Sequence, residues 1–213
     1  MSAAFERFRF KFFEDPNSAR DGLDLATLAK LDGEEHARAE AMLLDLLPDT
    51  RGVIGLGVLR SRRAEPELIR LFEAERFAER EAKRIPDGAW YPFALIDLAR
   101  ALWLIDPDPR WLAALIDVLA TCADETARQT AAEALYDIRD PAVVQALTMA
   151  LDDPEALVRY HSAHGLLGIH GLPNGSMDPA HMMYRVMSDD NARRDGGKRD
   201  ILAAIAGRPL APP

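Results

Sequence analysis

The chain has 213 residues, 48% of them hydrophobic and 29% charged, which is enough apolar material for one large domain or a short array and too much for a disordered chain. Asp and Glu outnumber Lys and Arg by 35 to 26, and the formal charge of −9 argues against a main role on a nucleic-acid backbone. Cys122 is the single cysteine, which excludes an internal disulfide or a zinc-finger spacing; no apolar run nears the ~20 residues of a membrane span, the N-terminus lacks the apolar core of a secretory signal, and a cytoplasmic protein is expected.

Residues 1–33 stand apart from the rest of the chain. Phe8, Phe10 and Phe12 alternate with basic residues as in a strand, while Phe5, Phe8 and Phe12 fit one helix face, so the pattern leaves both open. Either way the segment is expected to cap an open end of the array. A first helix is expected over 34–47, with Ala37, Ala41, Leu44 and Leu47 on one side. Arg51 to Leu59 continues as a second, and its Gly52, Gly55 and Gly57 suggest tight helix packing rather than a phosphate loop, because no strand precedes it and no Lys-Ser/Thr follows. Residues 66–84 make a longer helix whose arginines and glutamates interleave as on a solvated face, and Ile85-Pro86-Asp87-Gly88 is expected to break it.

The centre of the chain repeats. Arg128, Ala131, Ala132, Ala134, Leu135 and Ile138 fall on Arg159, Ser162, Ala163, Gly165, Leu166 and Ile169 at an offset of 31. Leu112, Leu115 and Leu119 fall on Val144, Leu147 and Leu151 at 32, and Ala99, Leu102 and Ile105 fall on Ala132, Leu135 and Ile138 at 33. A period in this range signals stacked units. Each copy holds two helical stripes; Asp106-Pro107 and Asp140-Pro141 close copies in the same way, and Asp140-Pro141 and Asp153-Pro154 read as cap-then-proline helix starts. A last pair is expected over Pro179–Ser188 and Asn191–Ala206, interrupted by Gly196-Gly197.

An Asp-Pro turn, a Leu-rich first helix, an Asp, then Arg and an Ala-x-x-Ala-Leu second helix resemble the HEAT-repeat family, above all its short bacterial type, seen also in phycobilin lyases. The resemblance implies an all-α, right-handed solenoid of antiparallel helix pairs with about 4–5 repeats over 34–207, an N-terminal cap segment over 1–33 and a short tail over 208–213.

Chemistry-bearing residues are sparse. His161 and His164 share a helix face and with Asp178 or His181 offer metal-ligand types, yet no supporting motif accompanies them, and neither metal nor other cofactor is expected. HEAT-like hydroxylases hold iron through His-Glu dipeptides, which this sequence lacks. HEAT-like DNA glycosylases use a cationic face with aromatics and an acid; Asp97, Arg100 and Trp103 supply the types, but the charge opposes DNA. Cys122 is expected to be buried rather than nucleophilic.

If second helices line one face of the stack, the offsets put Asp97, Thr130 and His161 in one row, Arg100, Glu133 and His164 in the next, and Trp103, Tyr136 and Leu167 in a third. Aromatic anchors among charges suit a protein-binding surface, so Asp97, Arg100, Trp103, Thr130, Glu133, Tyr136, His161 and His164 are the expected partner contacts. The function expected is a non-enzymatic protein-binding module, more narrowly an immunity or antitoxin protein capping a toxin or other basic protein, with no nucleic acid or membrane as partner. An adaptor or lyase-like chaperone for a cofactor protein, and a HEAT-fold enzyme on DNA or a metal, are the alternatives.

Overall fold

Aspartate side chains open five of the helices in the same way. Asp24, Asp49, Asp124, Asp140 and Asp190 accept hydrogen bonds from the backbone N–H groups of Thr27, Arg51, Ala127, Ala142 and Arg193, satisfying donors that a first turn leaves without partners. The computed structural model describes residues 2–15, 23–82, 91–174 and 181–211, and these are all-helical, with no strand among them. The elements are α1 (Ala3–Arg9), which runs into a π-helical turn (Phe10–Glu14), then α2 (Leu25–Leu28), α3 (Gly33–Leu44), α4 (Thr50–Val58), α5 (Glu65–Ala82) and α6 (Phe93–Ile105). They continue as α7 (Pro109–Thr121), α8 (Glu125–Ala134), α9 (Pro141–Ala150), α10 (Ala156–Ile169), α11 (Met182–Val186) and α12 (Asn191–Ile205). From α3 onward the helices alternate as first and second members of successive pairs, a HEAT-like order. The chain divides into two compact units, Met1–Trp111 and Leu112–Pro213.

In the first unit the alternation at the N-terminus resolves as helix. Phe5, Phe8 and Phe12 are buried on one face, with Phe8 and Phe12 centroids 4.9 Å apart, while Phe10 stays exposed. Arg51 ties this segment down by donating to the Phe12 carbonyl at 3.0 Å. The α4 glycines serve close packing, as their spacing suggested: a Cβ on Gly57 would lie 2.6 Å from Ala101 Cα of α6, and one on Gly52 would lie 2.9 Å from the Leu43 carbonyl of α3. Phe72 of α5 packs edge-on against Trp111, centroids 4.8 Å apart. The expected break at Ile85–Gly88 lies outside the described residues.

In the second unit α10 packs against α8, α9, α11 and α12, so it is buried around most of its circumference. Its Arg159, only 1% exposed, donates to the carbonyls of Asp153 and Pro154 in its own repeat and of Val186, Met187 and Ser188 in the next. Arg128, its equivalent on α8, repeats half of this pattern. It reaches the Cys122 and Ala123 carbonyls in its own turn and then grips both Asp153 carboxylate oxygens, at 2.8 and 3.0 Å. The Arg-on-Arg match in the sequence is thus a seam from one helix pair to the next.

Pro109 opens α7, with Asp108 accepting from Arg110 N–H. Two start and stop signals differ from expectation. Asp153-Pro154 stands ahead of α10, which starts at Ala156, because Asp153 is drawn to Arg128 and caps only the turn at Glu155. Gly196-Gly197 does not interrupt α12; a Cβ on Gly197 would meet the Val186 backbone nitrogen at 2.6 Å, so this glycine lets α11 approach. The tail returns to the repeat through Ala211 N–H and the Ile169 carbonyl, 2.8 Å.

Candidate functional site

Helices α8 and α10 run side by side in the second unit, and their facing turns gather Glu133, Tyr136, His161 and His164, four of the expected contacts, with Tyr160. The rings form a closed circuit. Tyr136 lies stacked near His161 (5.9 Å between centroids, 18° between planes), His161 meets Tyr160 edge-on at 5.2 Å, Tyr160 lies 6.3 Å from His164, and His164 returns to Tyr136 at 4.5 Å. All four rings are half-buried. Such tilted and edge-on pairings suit the ring quadrupoles.

A hydrogen-bond chain crosses the circuit. His161 Nε2 lies 3.2 Å from Glu133 Oε1, and its Nδ1 pairs with the Tyr136 hydroxyl. Because a carboxylate only accepts, the neutral ring carries its proton on Nε2 and takes the phenol proton's hydrogen bond at Nδ1. Burial lowers the pKa of His161 below the usual imidazole value, against the opposing pull of Glu133, and burial does the same to His164 against Asp137 and Glu133. Burial, with Glu133 and Tyr160 adding to it, raises Tyr136 well above an ordinary phenol. At neutral pH the cluster therefore holds two neutral imidazoles, a phenol that keeps its proton, and a carboxylate. That is a hydrogen-bonding aromatic surface with one negative charge. Gln129 donates to the same Glu133 oxygen at 3.0 Å, and Asn174 donates to the His164 carbonyl at 3.3 Å, folding the loop after α10 onto the helix.

The equivalences of the repeat misjudge the level at which neighbours meet. Equal repeat positions pair Thr130 with His161 and Glu133 with His164, whereas His161 meets Glu133 and Tyr136, and His164 meets Tyr136. The pairing is displaced by one helical turn, which sequence offsets do not encode because they ignore the axial stagger of neighbouring helices. Thr130 instead donates to the Thr126 carbonyl of its own helix at 2.8 Å. Leu167 is 0% exposed, not on the face, since α10 is packed on nearly every side. Tyr160 was missed although it precedes Tyr136's partner His161 and stands four residues from His164, a spacing that puts it beside that ring.

The remaining expected contacts, Asp97, Arg100 and Trp103, lie on α6 in the first unit, all half-buried. Asp97 shares a hydrogen bond with Thr50 at the start of α4, and burial raises its carboxyl to about 6. It therefore serves the α4–α6 packing. Cys122 is half-buried just past α7 rather than buried, its carbonyl held by Arg128. His181 caps α11 by accepting from Met183 N–H. Among the described residues no group of three or more His, Cys, Asp or Glu converges as a metal site would, and no helix is long and apolar enough to cross a membrane.

Residues 95–167 match the family described as HEAT repeats. No curated protein matches the chain. The match spans α8 whole and α10 as far as Leu167, the Arg-bearing helices that bring the four rings together; residues 95–167 are similar to HEAT repeats, and the fold of the described residues is all-helical and HEAT-like.

Proposed function

We propose that this protein is a non-enzymatic protein-binding module whose partner is held by the α8–α10 ring cluster. HEAT repeats are commonly protein-interaction modules. The observation that carries the reading is the cluster itself: four half-buried rings, held rigidly by packing and hydrogen bonds, beside the half-exposed Glu133. Aromatic groups of this kind supply contact area at small entropic cost, because their rotamers are already fixed. The phenol and the neutral imidazoles supply directional hydrogen bonds and no activated nucleophile.

More narrowly, the protein is an immunity or antitoxin protein that sequesters a basic toxin. The net charge of −9 supports this through steering of a basic partner. The test is co-purification with the protein encoded beside it, followed by titration of that partner against single variants. His164→Ala and Glu133→Arg are expected to weaken binding about tenfold or more, with thermal stability preserved. Unchanged affinity in both folded variants means that the partner uses another surface. A partner whose activity the protein does not neutralise removes the antitoxin reading alone.

A further inference from the structure

The proposed partner surface has a chemistry more specific than aromatic area. We infer that the four rings and the Glu133 carboxylate form an anchor site for a cationic side chain of the partner, an arginine guanidinium. This rests on the protein-binding reading and names what is bound.

Three observations carry it. First, ring faces and a carboxylate stand together. The Glu133 side chain is 42% exposed, and both of its hydrogen bonds, from Gln129 and His161, fall on Oε1, so Oε2 takes neither. An exposed acid beside π faces attracts a cation from two directions at once. A planar guanidinium lies flat on a ring while its edge donates to a carboxylate, which an ammonium does less well.

Second, the three arginines on or beside α8 and α10 that the structure describes are committed elsewhere. Arg128 is spent on Asp153 and the Cys122 and Ala123 carbonyls, Arg159 on carbonyls of two repeats, and Arg139 donates to the Asp137 carbonyl. In the first unit, by contrast, cations already cover ring faces: the Arg38 guanidinium carbon stands 5.1 Å above Phe5 and that of Arg110 3.9 Å above Trp111. Among the described residues of the second unit no lysine or arginine stands over a ring.

Third, the histidines do not repel a cation at neutral pH. Both are held below the ordinary imidazole value by burial. Among the described residues, the charged and titratable groups that face them are Glu133 from α8, Tyr136 and Asp137 from the turn that follows it, and Tyr160 from α10 itself. Helix α9 contributes no titratable side chain. The charges of the α11 and α12 side that act on α10, Arg194 and Asp189, act on Arg159, while Arg185 pairs with Asp200 and Lys198 with Asp152. Acid therefore adds positive charge at His161 and His164 inside the site, and a bound guanidinium is weakened.

The experiment is an NMR titration of the whole chain, following the imidazole and tyrosine ring signals, with N-acetyl-arginine amide as probe and N-acetyl-citrulline amide as its uncharged counterpart. The expected result at pH 7.5 is a saturable shift for the arginine probe at low-millimolar concentration, about 1–10 mM, as suits a single side chain. The citrulline probe is expected to produce none. Glu133→Gln, a conservative change on a half-exposed side chain, is expected to lower the affinity at least about threefold, and acidification is expected to weaken binding once the two imidazole ring signals report protonation. No saturable shift by about 50 mM, an equal response to citrulline, or an unaltered affinity in Glu133→Gln overturns the proposal. Failure here, with partner binding still lost in His164→Ala, removes the cation chemistry and leaves the protein-binding reading intact. Arginine binding with unchanged partner affinity in the cluster variants does the reverse.

Discussion

Arg159 is a charge almost removed from water, and it is tolerated because carbonyl oxygens on two repeats receive its donors. Burial lowers its pKa, yet a guanidinium stays charged across any physiological range. Deleting it removes the partner of the buried Val186 carbonyl and of four partly buried ones at once, and an unmet buried carbonyl is costly. Arg159→Met is therefore expected to destabilise the fold by about 3 kcal/mol or more in urea denaturation, and Arg128→Met by less, since Arg128 is only half-buried. A loss below about 1 kcal/mol for Arg159→Met would mean that water replaces the guanidinium freely. Asp97 poses the opposite problem, a carboxyl raised to about 6 by burial in the α4–α6 contact. A raised carboxyl binds its proton more readily folded than unfolded, so its charged form costs stability above about pH 6, and that cost fades as pH falls toward the unfolded value near 3.8. Asp97→Asn retains a group able to bond Thr50 and is expected to stabilise by about 1–2 kcal/mol at pH 8 and by almost nothing at pH 4. Melting temperatures at the two pH values check this, and an equal gain at both would contradict the assignment of the cost to ionisation.

At the scale of the helix, glycines separate backbone propensity from packing. Gly196 and Gly197 are neighbours on α12 with opposite surroundings. A Cβ on Gly196 meets only the Arg185 Nη1 atom, at 3.6 Å, whereas one on Gly197 meets the α11 backbone at 2.6 Å. Gly196→Ala is expected to stabilise by about 0.5–1 kcal/mol through helix propensity, while Gly197→Ala destabilises by about 2 kcal/mol or more, because backbone must move. Chemical denaturation of the two variants side by side decides it; the same sign for both would show that α11 is not held against α12. Gly57 on α4 belongs with Gly197, its forbidden Cβ falling on the Ala101 backbone. These elements also mark the limit of pattern reading. The apolar stripe of α8 was legible as a half-buried helix. The burial of Leu167 was not, because α10 is packed on nearly every side and its outward residues cannot be told from its inward ones by period alone.

For the whole molecule, pH links the candidate site to stability. His161 and His164 bind protons less readily folded than unfolded, so their contribution is complete above the unfolded value near 6.5 and is lost as pH falls through the lower folded values. The His161→Gln/His164→Gln variant is accordingly expected to show a shallower fall in melting temperature between pH 7 and pH 5 than the parent chain. Because both rings are partly exposed, the difference is modest. Parallel curves would mean that the two imidazoles are as free to ionise in the folded chain as in the unfolded one.

Short windows of the sequence, compared along the chain, were enough to read the helical periods, the aspartate caps, the close-packing glycines of α4 and the 31–33-residue recurrence that the HEAT match confirms over 95–167. Each of these rests on local preference, written in residues that are neighbours in the chain. Three things were decided only when the helices packed. Packing turned the N-terminal phenylalanines from an ambiguous alternation into a helix, since burial of Phe5, Phe8 and Phe12 needed a surface to bury against. It made the recurring arginine a seam, because its acceptors in the next helix pair lie 25 to 29 residues away. It also shifted α10 by a turn against α8, so that His161 found Glu133 and Tyr136 instead of Thr130. Stagger between packed helices is set by how side chains interlock across the contact, and no single helix carries that information in its own sequence.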